Sequence, residues 1–282
     1  MDTIQWYPGH MVKAKKLVRE NLKLIDVVIE LVDARIPLSS RNPDINEILL
    51  DKPRVMVLNK SDLADEKITA KWEQYFKENG ISTVTINSLT GQGINRLLAL
   101  VKQQAAEVLA RHVAKGRQPR AIRSMIVGIP NVGKSSLINK MAGKGTAKTA
   151  DKPGVTKGKQ WIRLNKEIEL LDTPGILWPK FTDPEVGFKL AVTGAIRDEV
   201  INIEQVALKL LELLKNIAPT GLQARYKLTT ISADNNELLQ LIGAKRGCLM
   251  GGGQIDLLKS SVIVLNEFRS GKIGRFTLDF PQ

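Results

Sequence analysis

Gly128-Ile129-Pro130-Asn131-Val132-Gly133-Lys134-Ser135 is the stretch that decides the fold. It follows Ser124-Met125-Ile126-Val127, an apolar run that reads as a buried strand, and it leads into Ser135–Met141, where a helix starts. Strand, glycine-rich turn, helix is the setting in which the spacing G-x-x-x-x-G-K-[ST] cradles phosphate, because loop N–H groups and the helix N-terminus point at anionic oxygens. Asn131, Val132, Gly133, Lys134, Ser135 and Ser136 are therefore the expected nucleotide contacts of this loop. Lys134 is placed to reach the β- and γ-phosphates and to act in catalysis, and Ser135 to offer its hydroxyl to Mg²⁺.

Outward from the loop, two further strand ends carry chemistry. Downstream, Ile168–Leu171 reads as a strand and ends at Asp172-Thr173-Pro174-Gly175. A carboxylate there can hold Mg²⁺ through water, and the N–H of Gly175 can approach the γ-phosphate. Alone, this tetrapeptide fits a proline turn nearly as well. Upstream, the strand Arg54–Leu58 ends at Asn59-Lys60-Ser61-Asp62. The Asp62 carboxylate can accept hydrogen bonds from N1–H and the exocyclic amine of guanine, a donor pair that adenine lacks. An acceptor left unpaired costs about 1–3 kcal/mol, enough to select the base. Asn59 would tie this loop to the phosphate loop, and the Lys60 stem would lie along the base. Common in isolation, the tetrapeptide gains its meaning from the phosphate loop in the same chain.

The remaining pattern supplies the frame. Asp26–Asp33 and Ser82–Ile86 read as two more strands, and Met11–Leu24, Asp65–Glu78 and Ile94–Ala110 as helices. The lysines and arginines of Met11–Leu24 suit a solvated helical face. Arg111–Arg123 reads as a basic linker. Strands alternating with helices indicate an α/β fold with a mostly parallel sheet covered on both faces. Beyond about residue 180 the strand signals stop. Ile203, Val206, Ala207, Leu210, Leu213, Leu214 and Ile217 recur at helical spacing behind a cap at Asn202 with Gln205. Asn236–Ile242 and Ile255–Phe268 read as further helices, though Val262, Ile263 and Val264 leave a strand open in the second. The expected division is residues 1–178 as the nucleotide domain and 179–282 as a small helical domain.

Composition sets outer bounds. Of 282 residues, 43% are hydrophobic and 25% charged, the balance of a globular protein with a core. Aromatic residues make up 5%, too few for base-stacking platforms to dominate a nucleic-acid contact. Cys248 is the single cysteine, which excludes an intramolecular disulfide and reads as a packing residue in a reducing, cytoplasmic setting. No signal-peptide pattern opens the sequence and no apolar run is long enough to span a bilayer, so no membrane partner is expected. The net charge of +13 favours a polyanionic partner.

Phosphate loop, Asp-x-x-Gly and Asn-Lys-x-Asp together resemble a translation-factor-class GTPase. Asn87-Ser88-Leu89 resembles the motif whose backbone contacts the guanine oxygen, and Pro153-Gly154-Val155-Thr156 resembles the first switch, with Thr156 as a second Mg²⁺ hydroxyl. In ordinary members the phosphate loop comes first; here the guanine motifs precede it, as in the circularly permuted GTPases. Trp6-Tyr7-Pro8-Gly9-His10-Met11, the same Pro153-Gly154-Val155-Thr156 and Gly274-Arg275-Phe276-Thr277-Leu278-Asp279 narrow the resemblance to the ribosome biogenesis GTPase A family, over essentially the whole chain. The resemblance implies a circularly permuted P-loop GTPase domain with a C-terminal helical, rRNA-binding domain. It also implies GTP/GDP and Mg²⁺ as ligands, late maturation of the large ribosomal subunit, and rRNA and ribosomal proteins as partners of a monomer. A GTP-dependent switch on another RNA such as tRNA, and a GTP-shaped RNA clamp with negligible turnover, remain the alternatives.

One catalytic part is missing. Many GTPases position the attacking water with a glutamine just after Asp-x-x-Gly, and here that residue is Ile176, which cannot orient water. The chain has two histidines, His10 and His112. His10, behind the Pro8-Gly9 turn and in the segment where the resemblance also implies a catalytic histidine, is the expected water-orienting residue. Its competing reading is an rRNA-contact or interface residue. Asn131 is a candidate ligand of K⁺, as in similar GTPases with asparagine at this loop position.

Overall fold

The computed structural model describes residues 16–143, 160–172 and 183–281. They fall into two compact units: Asp183–Phe276 forms one, and the residues before it together with the segment from Thr277 onward form the other.

The first unit is built on a six-stranded sheet. Its strands are β1 (Val27–Asp33), β2 (Arg54–Asn59), β3 (Ser82–Thr85), β4 (Ile122–Gly128), β5 (Gln160–Arg163) and β6 (Ile168–Asp172), in the order β3-β2-β1-β4-β6-β5. Every neighbouring pair is parallel except β5, which runs antiparallel to β6 at the edge. All seven residues of β1 are buried, as expected of a central strand covered on both faces. Its one interior carboxylate, Glu30, is met by Arg41 at 2.8 Å and Arg54 at 3.5 Å.

Side-chain alternation assigns the helices to faces. Residues 16–21 (α1) and Ile45–Leu49 (α2) bring Val18, Ile45, Ile48 and Leu49 against Val28, Met125 and Leu171. On the same face, Trp72 and Phe76 of α3 (Glu66–Glu78) pack on Val32, Met56 and Leu58. The helix α4 (Ile94–Ala114) contacts β1 through β4 and buries Leu97, Val101 and Ala105. α5 (Lys134–Ala142) follows the phosphate loop and packs on β4.

Two expectations are corrected here. α4 runs on to Ala114 rather than ending at Ala110, and β4 starts at Ile122, so the basic connection is shorter than Arg111–Arg123. Arg111 and His112 suit a helix's last turn, where cations meet the negative end of the dipole, and the stop comes at Lys115 and Gly116, the latter at φ 73°. The strand β5 and the helix α2 went unread because both are short.

The second unit holds α6 (Pro184–Val192), α7 (Ile203–Ile217), α8 (Pro219–Tyr226), α9 (Asn235–Lys245) and α10 (Leu257–Arg269). Side chains of Asp183, Asn202, Asp234 and Asp256 cap α6, α7, α9 and α10 by accepting first-turn N–H groups. α7 turns Val206, Ala207, Leu210, Leu211 and Leu214 inward. α9 and α10 meet at Gly243, where an added Cβ would stand 2.3 Å from Ser260 Oγ. Glu267 accepts a two-pronged bond from Arg225 (2.9 and 2.6 Å) and one from Arg246 (3.1 Å). Ile255–Phe268, left open between helix and strand, is helical from Leu257, and Cys248 is buried and free. The tail differs from expectation: Thr277 onward belongs with the sheet unit, not the helical one. No helix among the described residues is long and apolar enough to cross a membrane.

Candidate functional site

The sheet has a topological switch point. From its centre, β1, β2 and β3 step one way, while β4, β6 and β5 step the other. In such sheets the crevice beyond the carboxyl ends of the two central strands is where ligands bind. β1 ends there at Asp33 and β4 at Gly128, the first residue of the phosphate loop. β2 delivers Asn59 to the same edge, and the turn after β3 delivers Asn87–Leu89.

The phosphate loop is shaped by two positive-φ residues, Asn131 (56°) and Gly133 (103°). At Gly133 an added Cβ would lie 2.3 Å from Asn59 Nδ2, so glycine is required both for the dihedral and for the close approach. Val132 is buried, Ser135 and Ser136 are half-buried, and Asn131 is exposed. Lys134, the first residue of α5, is itself buried and arches back over the loop, donating to Gly128 O at 3.2 Å and Ile129 O at 2.8 Å.

Asn59 is the hub of the site. Fully buried, it donates from Nδ2 to Val132 O at 2.8 Å, and its Oδ1 accepts from the Ser88 N–H at 3.2 Å. One side chain thereby fixes the phosphate loop and the Asn87–Leu89 turn relative to β2. That turn is further held by Asn87 Oδ1, which accepts from Leu89 N at 2.9 Å and Thr90 N at 3.1 Å. Asp62 sits exposed on a single 3₁₀ turn, Ser61–Leu63, and its carboxylate makes no hydrogen bond among the described residues. The acceptor that would read guanine therefore has no competing donor there.

The Asp33 constellation was missed from the sequence. Asp33 is buried at the end of β1 and holds Arg35 in a two-pronged ion pair (Nε–Oδ1 2.9 Å, NH2–Oδ2 2.7 Å). Its Oδ2 also lies 3.1 Å from Lys60 Nζ. Burial pushes this carboxyl up, but the Arg35 and Lys60 cations push it further down, and the net result lies well below the usual carboxylate range. Asp33 thus fixes the Lys60 side chain. The available signal was a charged pair two residues apart at the end of an otherwise apolar strand, at the switch point.

Other expected residues separate from this cluster. His112 lies near the end of α4, in a cleft of about 400 Å³ lined also by Asp26, Pro53 and Val108. Asp26 and Pro53 precede β1 and β2, so this cleft sits a strand length from Asn59, roughly 20 Å. His112 is therefore removed from the Asn59 cluster. His10, Thr156, Gly175 and Ile176 lie outside the described residues, as does the side chain of Asp172.

Residues 123–242 match the family model described as 50S ribosome-binding GTPase, a span that starts at β4 and leaves out Asn59–Asp62, which here come earlier. The chain is 56% identical over 279 residues to Ribosome biogenesis GTPase A of Bacillus cereus, covering 99% of this chain and 94% of that one. To Ribosome biogenesis GTPase A of Thermotoga maritima it is 31% identical over 279 residues, covering 99% and 95%. Among solved structures, GNP-bound YlqF from T. maritima superimposes with a TM-score of 0.67 at 28% identity, over 96% of this chain and 99% of that one. With the permuted motif order, the six-stranded sheet and this full-length identity, the chain belongs to the ribosome biogenesis GTPase A family: it binds guanine nucleotide and hydrolyses GTP.

Proposed function

We propose that this GTPase acts late in assembly of the large ribosomal subunit, bound to rRNA with GTP in place and released when GTP is hydrolysed. The observation that carries the RNA partner is the location of the positive charge. Residues 183–276 hold twelve Lys and Arg against ten Asp and Glu, so most of the surplus of +13 belongs to the sheet unit. Between Val108 and Arg120 there is no acidic residue, and Arg111, Lys115 and Arg117 are exposed at the end of α4 and beyond it, while Arg120 is paired with Asp26. Such a segment suits a phosphate backbone, whose binding releases counterions and weakens with salt. The helical domain, expected to bind rRNA, is nearly balanced in charge, so the salt-sensitive share of binding is assigned to the sheet unit. The description of the matching family model supports the large subunit as the particle.

In the chemical step, Lys134 exchanges Gly128 O and Ile129 O for β- and γ-phosphate oxygens, countering charge that grows in the transition state. Ser135 and Asp172 end up on one edge because β4 and β6 are parallel, paired through Met125 and Leu171. A hydroxyl and a carboxylate are hard oxygen donors that fit Mg²⁺, with Thr156 as the third, and bound Mg²⁺ would neutralise phosphate charge. His10 orients the attacking water once the subunit places the N-terminal segment, and Asn131 serves as a K⁺ ligand.

Sedimentation with purified large subunits tests the reading. Co-migration with a non-hydrolysable GTP analogue, loss with GDP, and turnover raised by the subunit are expected. Equal binding to tRNA, or turnover indifferent to the subunit, overturns it. In the same assay His10→Ala lowers stimulated turnover at unchanged GTP affinity.

A further inference from the structure

The segment Thr277–Asp279 returns to the sheet unit and bonds to both loops on the guanine side of the crevice. Leu278 N donates to Arg35 O at 2.7 Å. The Asp279 carboxylate accepts hydrogen bonds from Leu38 N (2.9 Å), Ser39 N (2.7 Å) and Ser39 Oγ (2.8 Å). The Asp279 carbonyl accepts from Trp72 Nε1 at 3.0 Å, and Thr277 Oγ1 accepts from Asp65 N at 3.1 Å. All three residues are buried, and the sequence separations exceed 200 residues.

The first loop, Ala34–Ser40, follows β1 and begins beside Asp33, which holds Lys60. The second, Lys60–Asp65, follows β2 and carries Lys60 and Asp62. Three consecutive residues therefore clasp the loops that follow β1 and β2. A carboxylate buried with these donors is costly to withdraw, since charge-assisted bonds are the strong ones and the donors would be left unpaired.

We propose that Thr277–Asp279 is a clasp that sets the dwell time of guanine nucleotide, with Asp279 as its positioning residue. The clasp acts through Asp33 and Asp65 on Lys60 and Asp62; it rests on the reading of Asn59–Asp62 as the base site. Opening it lets the two loops separate, and apparent affinity falls with the fraction of molecules whose loops remain in register. Because the chain enters the clasp directly from Phe276, the end of the helical unit, whatever tugs on that unit has a covalent lead to the base side of the site.

Dissociation of a fluorescent GDP analogue from the full chain tests this. Asp279→Ala is expected to speed release by about tenfold or more, raise KM for GTP in parallel, and leave kcat at saturation within about twofold. Asp279→Asn, which keeps one acceptor, falls between, and Ser39→Ala gives a smaller change of the same sign. Wild-type release from folded Asp279→Ala, with only the melting temperature lowered, overturns the clasp; so does a fall in kcat at unchanged KM. If Asp279→Ala does not fold, Ser39→Ala decides, and wild-type release from it overturns the proposal. Asp62→Asn in the same assay separates the premise: if it keeps the preference for guanine over xanthine nucleotide, the base-site reading itself fails.

Discussion

The two sides of the crevice are held by different means. On the base side, loops distant in sequence are joined by side chains: Asn59 to Ser88, Lys60 to Asp33, Ser39 to Asp279. On the phosphate side the loop is shaped by its own backbone, with positive φ at Asn131 and Gly133, and its reactive lysine is bonded to the loop's own carbonyls. Asn59 is a bridge between the two, through Val132 O. On the proposed reading of Asn59–Asp62 and Lys134, base recognition would be set by the folded unit, whereas the phosphate side would commit its lysine by exchanging partners.

Lys134→Ala removes that lysine and has the largest expected effect. Turnover should fall by roughly 10²–10³-fold, the scale seen when one transition-state donor is removed, while the urea midpoint falls only modestly, since Gly128 O and Ile129 O lose a donor but every base-side bond is kept. A large loss of stability with nearly normal turnover would erase the contrast between the two sides.

Asn59→Ala breaks the bridge. It removes the partners of Val132 O and Ser88 N in a fully buried setting, so stability should drop by about 2–4 kcal/mol, with GDP affinity falling alongside. Urea unfolding and nucleotide titration read both. An effect on affinity alone would mean that the two sides are not structurally joined at this residue.

The smallest effect is expected from pH. Asp33 titrates well below its ordinary 3.8 in the fold, so its contribution is fully present above that value and is lost as pH falls through the lowered one. Wild type and Asp33→Asn should show parallel stability curves from pH 7 down to about 5, diverging only near and below the unfolded carboxyl range. Divergence already near pH 6 would contradict an ion pair that burial and two cations hold ionised.

Much of this contrast could be read from residues in a row. The phosphate loop, Asp172 and Asn59–Asp62 each follow an apolar run, and buried parallel strands announce themselves as such runs. Besides the helices α6 and α8, what escaped is of two kinds. β5, four residues at a sheet edge, and α2, five residues long, are too short for periodicity to register. The Asp33–Arg35–Lys60 group and the clasp are legible only after folding. Asp279 closes the Gly274–Asp279 motif, but nothing in its neighbours says that its carboxylate will cap a loop some 240 positions away. The end of α4 was misplaced because its basic composition suggested a linker, whereas Gly116 is the actual stop.

The return of Thr277–Asp279 to the sheet also changes what kind of object the helical unit is. It is an insert, spliced between β6 and the clasp, with both of its ends anchored in the same parent unit. Cutting the chain after residue 182 would therefore not liberate an intact GTPase module: it would take six residues of that module away, among them three that hold Arg35, Ser39 and Asp65. A nucleotide-binding defect in such a truncation would report a wound in the parent, not a signal lost from the insert. The cleaner excision joins the strand side directly to residue 277 through a short flexible linker.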